Sequence, residues 1–241
     1  MPLSTRPLAG AGRSALPVIV VTGMAFEARI ARGEGVEVVY AARADLLERA
    51  LSAAVAHGCS GIVSFGTAGG LAPDLAPGTV IVADAVEGPL GIGRFQTDRP
   101  WADRLVGALA SGPLGARLRR GVVAGVKAPL VTAEDKRALH RATGALAVDM
   151  ESHIAGATAA ACGVPFAVCR AIVDPAWRTL PPAATAGLRD DGTTALVPIL
   201  RELLREPSQL GALVQVAFDA RAARGALVLA RRAIGDGFFC S

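Results

Sequence analysis

The chain has 241 residues, 52% of them hydrophobic and 19% charged, which suits one large domain with a full core and excludes wholesale disorder. Aromatic residues make up only 4%, against a base-stacking nucleic-acid surface, and the formal net charge of +4 is scattered as on any solvated surface, with a mild pull toward phosphate or anionic lipid. Four cysteines without a Cys-x-x-Cys, and three histidines without ligand spacing, argue against a disulfide framework and a metal site.

Residues 1–16, rich in Ser, Gly, Pro and Arg, read as a flexible leader without the apolar stretch of a signal peptide. Residues 17–241 read as a single domain. No run of about twenty uncharged apolar residues occurs, so no transmembrane helix is expected and the cytoplasm is the default location. The β-branched run 17–22 predicts a buried strand ended by Gly23, then a helix over 25–32 and a strand over 36–41. Leu46, Leu47, Ala50, Leu51 and Ala54 give helical spacing to 44–57, with Gly58 as the stop. A strand over 61–65 runs into a glycine-rich loop, Gly66-Thr67-Ala68-Gly69-Gly70. Further strands are predicted at 79–85, 121–126, 145–148 and 164–172, with an Ala-rich helix over 151–161. Helices follow at 196–205 and, as one or two pieces, over 210–233, a C-terminal helical segment of about 208–234. Strands apolar on both faces, alternating with helices, imply an α/β fold: a three-layer α/β/α arrangement around a mostly parallel, mixed, twisted sheet. Ligands in such sheets bind beyond the carboxyl ends of the strands.

Four segments at such ends carry polar groups. In Gly23-Met24-Ala25-Phe26-Glu27-Ala28-Arg29 a strand passes into a helix, where Glu27 also reads as an exposed first-turn residue. The loop 66–70 lets backbone N–H groups approach an anion or a sugar, and also reads as a tight turn; it is neither a dinucleotide fingerprint nor a P-loop, which leaves a redox enzyme without support. Asp149-Met150-Glu151 sets two carboxylates where a strand meets a helix, a place also suited to helix capping. Asp174 lies just past an apolar strand and before Pro175, where a turn Asp is equally at home.

In this order, with Leu71-Ala72-Pro73 and Pro77-Gly78-Thr79-Val80-Ile81-Val82 between them, these segments resemble the purine nucleoside phosphorylase and methylthioadenosine nucleosidase superfamily over roughly residues 17–204. The resemblance implies an enzyme that breaks the purine–ribose bond, by phosphorolysis with inorganic phosphate as co-substrate or by hydrolysis, with no other cofactor. It implies that Asp174 protonates or hydrogen-bonds the purine at N7, that Glu151 holds the ribose hydroxyls with Met150 against the sugar, and that Glu27 positions a nucleophilic water. Gly23, Gly66 and Thr67 match the floor of the nucleophile site, Arg29 or Arg94 would supply a cation for phosphate, and Ala68, Gly69, Leu130 and Val131 fall where the base is held. A homo-oligomer is implied as well. The chain departs from many relatives in having Val173 before Asp174, and Ser64 where phosphorylases carry an Arg.

Thr22-Gly-Met-Ala-Phe-Glu-Ala28, Val148-Asp-Met-Glu-Ser-His153 and the segment Asp174–Ala183 resemble, more narrowly, the hopanoid-associated phosphorylases. The implied substrate is adenosylhopane, a lipid-linked nucleoside. Trp177, Leu180, Pro181 and Pro182 would then form an apolar flap, and the mixed apolar and Arg-bearing tail 210–234 reads either as a membrane-surface helix or as one packing on the sheet. A methylthioadenosine or S-adenosylhomocysteine type nucleosidase, or a general purine nucleosidase, is the alternative; a non-catalytic nucleoside or lipid carrier on the same fold is the second.

Overall fold

Val18, Ile19, Val20 and Val21 are all buried, so the first strand, β1 (Val18–Thr22), has apolar cover on both faces. The computed structural model describes residues 16–186 and 196–239, so the leader expected over 1–16 lies outside the described residues save Leu16. In chain order there follow α1 (Ala25–Ala31), β2 (Val36–Tyr40), α2 (Ala44–Val55), β3 (Gly61–Gly70), β4 (Val80–Glu87), β5 (Arg94–Gln96), α3 (Arg99–Ala110), β6 (Leu118–Gly125), α4 (Ala133–Thr143), β7 (Ala147–Asp149), α5 (Ser152–Cys162), β8 (Phe166–Asp174), α6 (Pro182–Ala186), α7 (Leu196–Arg205) and α8 (Leu210–Ile234).

The two faces of β1 seed two cores, because side chains alternate along a strand. Ile19 and Val21 join Leu47, Leu51 and Ala54 of α2 and Ile154, Ala155 and Ala159 of α5. Val18 and Val20 join Trp101, Leu105 and Leu109 of α3 and Ala223, Leu227, Ala230 and Ile234 of α8. Each fully buried Leu or Val adds about 1.5–3 kcal/mol. Helices therefore cover both faces, and the expected three-layer α/β architecture is present.

The sheet is mixed and mostly parallel. Its order is β2-β1-β3-β7-β6-β4-β5, and β8 pairs with β3 and with β4. The path β3-β8-β4-β6-β7 thus closes on itself. Closure depends on the length of β3: its first part runs parallel to β1 and β8, its register shifts between Ala68 and Gly69, and its last two residues pair antiparallel with β7. The segment 66–70, expected as a loop, is therefore strand. Pairing with β8 through Gly69 and with β7 at Gly69 and Gly70 holds it more firmly than a turn would. Asp174, expected just beyond its strand, is the last residue of β8.

Four elements were not foreseen: β5, α3, α4 and the short α6. The tail is a single 25-residue helix. Its second half is core, so the reading of that half as an ordinary packing helix holds. Its first half leaves Leu210, Val214 and Phe218 exposed. Trp101 Nε1 donates to the Phe238 carbonyl at 2.6 Å, and Phe238 meets Phe65 edge to face at 5.3 Å, so residues after α8 are tied to the core as well. Among the described residues no helix is long and apolar enough to cross a membrane.

Candidate active site

Residues 27, 67, 149, 151 and 174 come together around one hollow of about 240 Å³. It lies where β3, β7 and β8 end and α1 begins. Its lining also includes Gly23, Met24, Ala68, Gly69, Met150, Val126, Pro129, Leu130 and Leu180.

Glu27 is 1% exposed. Its Oε1 accepts from the Thr67 amide and hydroxyl, each at 2.7 Å, and its Oε2 accepts from the Gly23 and Met24 amides at 3.1 and 3.0 Å. A carboxylate has about four lone-pair sites; here all are occupied. Burial pushes the Glu27 carboxyl above its ordinary range, while Arg170 and the Thr67 bonds oppose it. Glu27 is thus not an exposed first-turn residue.

The second part of the site has an unforeseen centre. Arg170, on the otherwise apolar β8, is fully buried. Its Nε lies 2.7 Å from Asp149 Oδ2 and its Nη2 3.1 Å from Glu151 Oε2. Nη2 also donates to Ser64 Oγ at 2.5 Å, and Nη1 to the Thr67 carbonyl at 3.3 Å. A charged residue in a strand apolar on both faces has to be paired; that was the legible signal for it. Ser64, which replaces the Arg of phosphorylases, serves as an acceptor for this guanidinium.

Asp149 and Glu151 divide the two tasks that the sequence leaves open. Asp149 caps α5, accepting from the Ser152 amide at 2.9 Å and from its hydroxyl. Glu151 makes no capping bond and lines the hollow instead. Burial, joined by repulsion from Asp149 and Glu27 and opposed by Arg170, pushes the Glu151 carboxyl up to about 7. A Glu that accepts from ribose hydroxyls must be ionised. We therefore expect kcat/KM to climb with pH through about 7 and then level off, and this acidic limb to vanish in Glu151→Gln. The stability effect has the opposite sign: native Glu151 holds its proton more tightly than the unfolded chain does, so its contribution favours the fold at low pH and is lost as pH rises from about 4.5 to about 7.

Asp174 stands apart from this cluster, with a side chain 13% exposed. Lys136 of α4, 0% exposed, donates a short hydrogen bond to its Oδ2. Burial raises the Asp174 carboxyl and Lys136 opposes the rise. Lys136 also donates to the carbonyls of Pro175 at 3.3 Å and Arg178 at 3.0 Å.

Glycines at the floor are required by close approach. A Cβ on Gly23 would sit 2.4 Å from Glu151 Oε1, and one on Gly66 would meet Arg170 and Glu27 at 2.7 and 2.8 Å. Gly66 therefore acts beneath the floor and does not line the hollow.

Three expected contacts are corrected. Arg29 is exposed and bonds only the Ala25 carbonyl of its own helix, because two residues along from Glu27 it points to the opposite side of α1. Arg94 pairs with Glu87 on the surface. Leu130 lines the hollow but Val131 does not: neighbours on an extended chain face opposite sides, and the Val131 carbonyl accepts from the Leu180 amide at 2.8 Å. Of the expected flap, Leu180 lines the hollow, Pro181 is buried, and Trp177 is 55% exposed.

The model of the phosphorylase superfamily matches residues 16–191. No curated protein matches the sequence. Among solved structures, the 5′-methylthioadenosine/S-adenosylhomocysteine nucleosidase from S. pneumoniae is similar at 16% identity, with 91% of this chain and 100% of that chain covered and a TM-score of 0.62. The S-adenosylhomocysteine nucleosidase from Streptococcus pyogenes is 17% identical, with 91% and 98% covered and a TM-score of 0.62. A futalosine hydrolase from Helicobacter pylori is 17% identical, with 66% and 89% covered and a TM-score of 0.58. At such identities the structural likeness bears on the fold, and the family model extends over most of the chain. The chain belongs to the phosphorylase superfamily.

Proposed function

We propose that the protein is a purine nucleosidase, which hydrolyses the N-glycosidic bond of an adenosine carrying an apolar 5′ substituent. One observation carries the choice of water over phosphate. Among the described residues lining the hollow there are four carboxylates, Glu27, Asp149, Glu151 and Asp174, and no Lys or Arg side chain. Arg170 and Lys136 are both committed to these carboxylates from behind. A unit negative charge about 4 Å from one carboxylate is repelled by about 4 kcal/mol at an effective dielectric constant of about 20. Arg170 offsets one charge among Glu27, Asp149 and Glu151, so phosphate would meet net negative charge there without a free cation in the lining; Arg29 is exposed on its own helix and Arg94 is paired with Glu87 on the surface. The ribosyl group that remains as the purine departs is cationic, and the same charges favour it.

The chemistry then divides between the two ends. Asp174, flanked by Val126, Pro129, Leu130 and Leu180, gives a proton to the departing purine. Glu151 holds the ribose hydroxyls. A water attacks C1′ as the bond to the purine breaks, and Glu27 takes up its proton. Glu27 has no vacant lone pair, so the Thr67 hydroxyl must swing from Oε1 to let the water in. The nucleosidases and the hydrolase similar to this chain support the hydrolytic reading.

A hollow of about 240 Å³ is below the about 300–1,000 Å³ of drug-sized sites, so a long 5′ substituent has to extend out of it. Adenosylhopane and methylthioadenosine both fall in the apolar class; a 5′-phosphate does not. The test is free adenine release from each, in phosphate-free buffer and in excess phosphate. Equal rates and a free sugar hydroxyl product are expected, with no turnover of adenosine 5′-monophosphate. Release that stops without phosphate, with a sugar 1-phosphate as product, overturns the hydrolytic reading.

A further inference from the structure

We propose that Lys136 is a positioning residue for Asp174: it grips one carboxyl oxygen so that the other is presented to the leaving base. This rests on the reading of Asp174 as the group that meets the purine.

The geometry gives the ammonium one carboxylate and two carbonyls. Lys136 Nζ donates to Asp174 Oδ2, to the Pro175 carbonyl and to the Arg178 carbonyl. Its three N–H donors are thereby used. Lys136 does not line the hollow, whereas Asp174 does. The grip therefore comes from the rear.

The position is also costly for its own helix. Lys136 is the fourth residue of α4, after Thr132 as N-cap and the acidic first turn of Glu134 and Asp135. The helix dipole disfavours a cation there. Ala133 and Lys136 are the buried residues of α4, and Lys136 carries its ammonium into the interior along with its apolar stem. Its burial is compensated across the gap, by Asp174.

The charge matters as well as the grip. Burial alone drives a carboxyl upward until it no longer surrenders its proton. Lys136 opposes that drift, and Asp219 of α8, itself paired with Arg178 at 2.8 Å, adds to it. Among the described residues Lys136 and Asp219 are the charged groups that act on Asp174. An acid is most effective when it exchanges its proton near the working pH.

The experiment compares kcat/KM against pH for the wild type, Lys136→Met and Asp174→Asn. The limb that is absent in Asp174→Asn should move up by about one pH unit or more in Lys136→Met. Turnover should fall by about 10²-fold with KM little changed. A limb that stays in place, or a loss confined to KM, overturns the proposal. If Lys136→Met does not fold, the double variant Lys136→Met/Asp174→Asn decides: a folded double variant shows that Asp174 is what needs Lys136. If neither folds, the two carbonyls are what need it, and the proposal fails. A wild type that releases no base sinks the nucleosidase reading instead. The carbon-13 titration of the Asp174 carboxyl, with and without Lys136, still reads the pairing in that case.

Discussion

Asp174→Asn lowers kcat by about 10²–10⁴-fold, the range that one positioned acid supplies, while substrate still binds. Asn keeps the shape and can still accept from Lys136, so the packing of β8 is retained. What it lacks is a proton to transfer. The expected signature is a loss in kcat that is smaller for nucleosides with a better leaving base, because those need less help at N7. Steady-state kinetics with adenine and with a more acidic purine analogue give the comparison. An equal loss on both bases, or full activity in the variant, would place the acid elsewhere.

Arg170→Met is the most damaging single change at the carboxylate cluster. Arg170 is fully buried against Asp149 and Glu151, with Glu27 close by. Removing one partner of a buried ion pair costs about 3–5 kcal/mol, far more than the pair contributes over an apolar replacement. For a chain of this size that is a fall in Tm of roughly 6–20 °C. The pH dependence has a definite sign. Without the guanidinium the native carboxyls bind protons more tightly than the unfolded chain does, so the variant gains relative stability in acid and loses it as pH rises. Its deficit against the wild type should therefore be wider at pH 8 than at pH 5. Thermal unfolding at the two values measures it, and a deficit that narrows with rising pH would show that the carboxylates are not what Arg170 serves. Turnover should be absent even at temperatures where the variant is folded, because Glu151 and Glu27 would no longer be held in place.

The apolar strands and the acidic residues beside them were legible because burial leaves a mark on composition. β1 is β-branched and uncharged, β3 is uncharged, β8 is apolar save for Arg170 and Asp174, and Glu27, Glu151 and Asp174 stand at or beside strand ends in sequence positions that the structure brings to one hollow. The missed helices had marks of another kind. Asp98 accepts from the Trp101 amide at 2.8 Å with Pro100 in the first turn of α3, and Thr132 accepts from the Asp135 amide at 3.0 Å with Gly144 as the left-handed stop of α4. These are capping signals. α4 buries so little that it has no apolar stripe to reveal it, and nothing around Lys136 in the sequence singles it out. Arg170 went unassigned because its partners lie far off in sequence: Asp149 on β7 and Glu151 at the start of α5, some twenty residues back, and Ser64 on β3, 106 residues back. Closure of the sheet was out of reach, because it depends on a register shift inside β3 rather than on any residue type.

The glycines under the ribose end have a consequence for how this scaffold changes its substrate. At positions 23, 66 and 69 the wall is main chain, with carboxylates packed against it at distances that leave no room for a methyl group or make it tight. Such a wall is widened only by moving whole strands, so random drift there closes the cleft before it alters chemistry. Diversification has to begin at Val126, Pro129, Leu130 and Leu180, where side chains of the lining can be exchanged one at a time. Whatever part of a ligand meets those four residues is open to change in this architecture, whereas the part that meets the glycine floor is not.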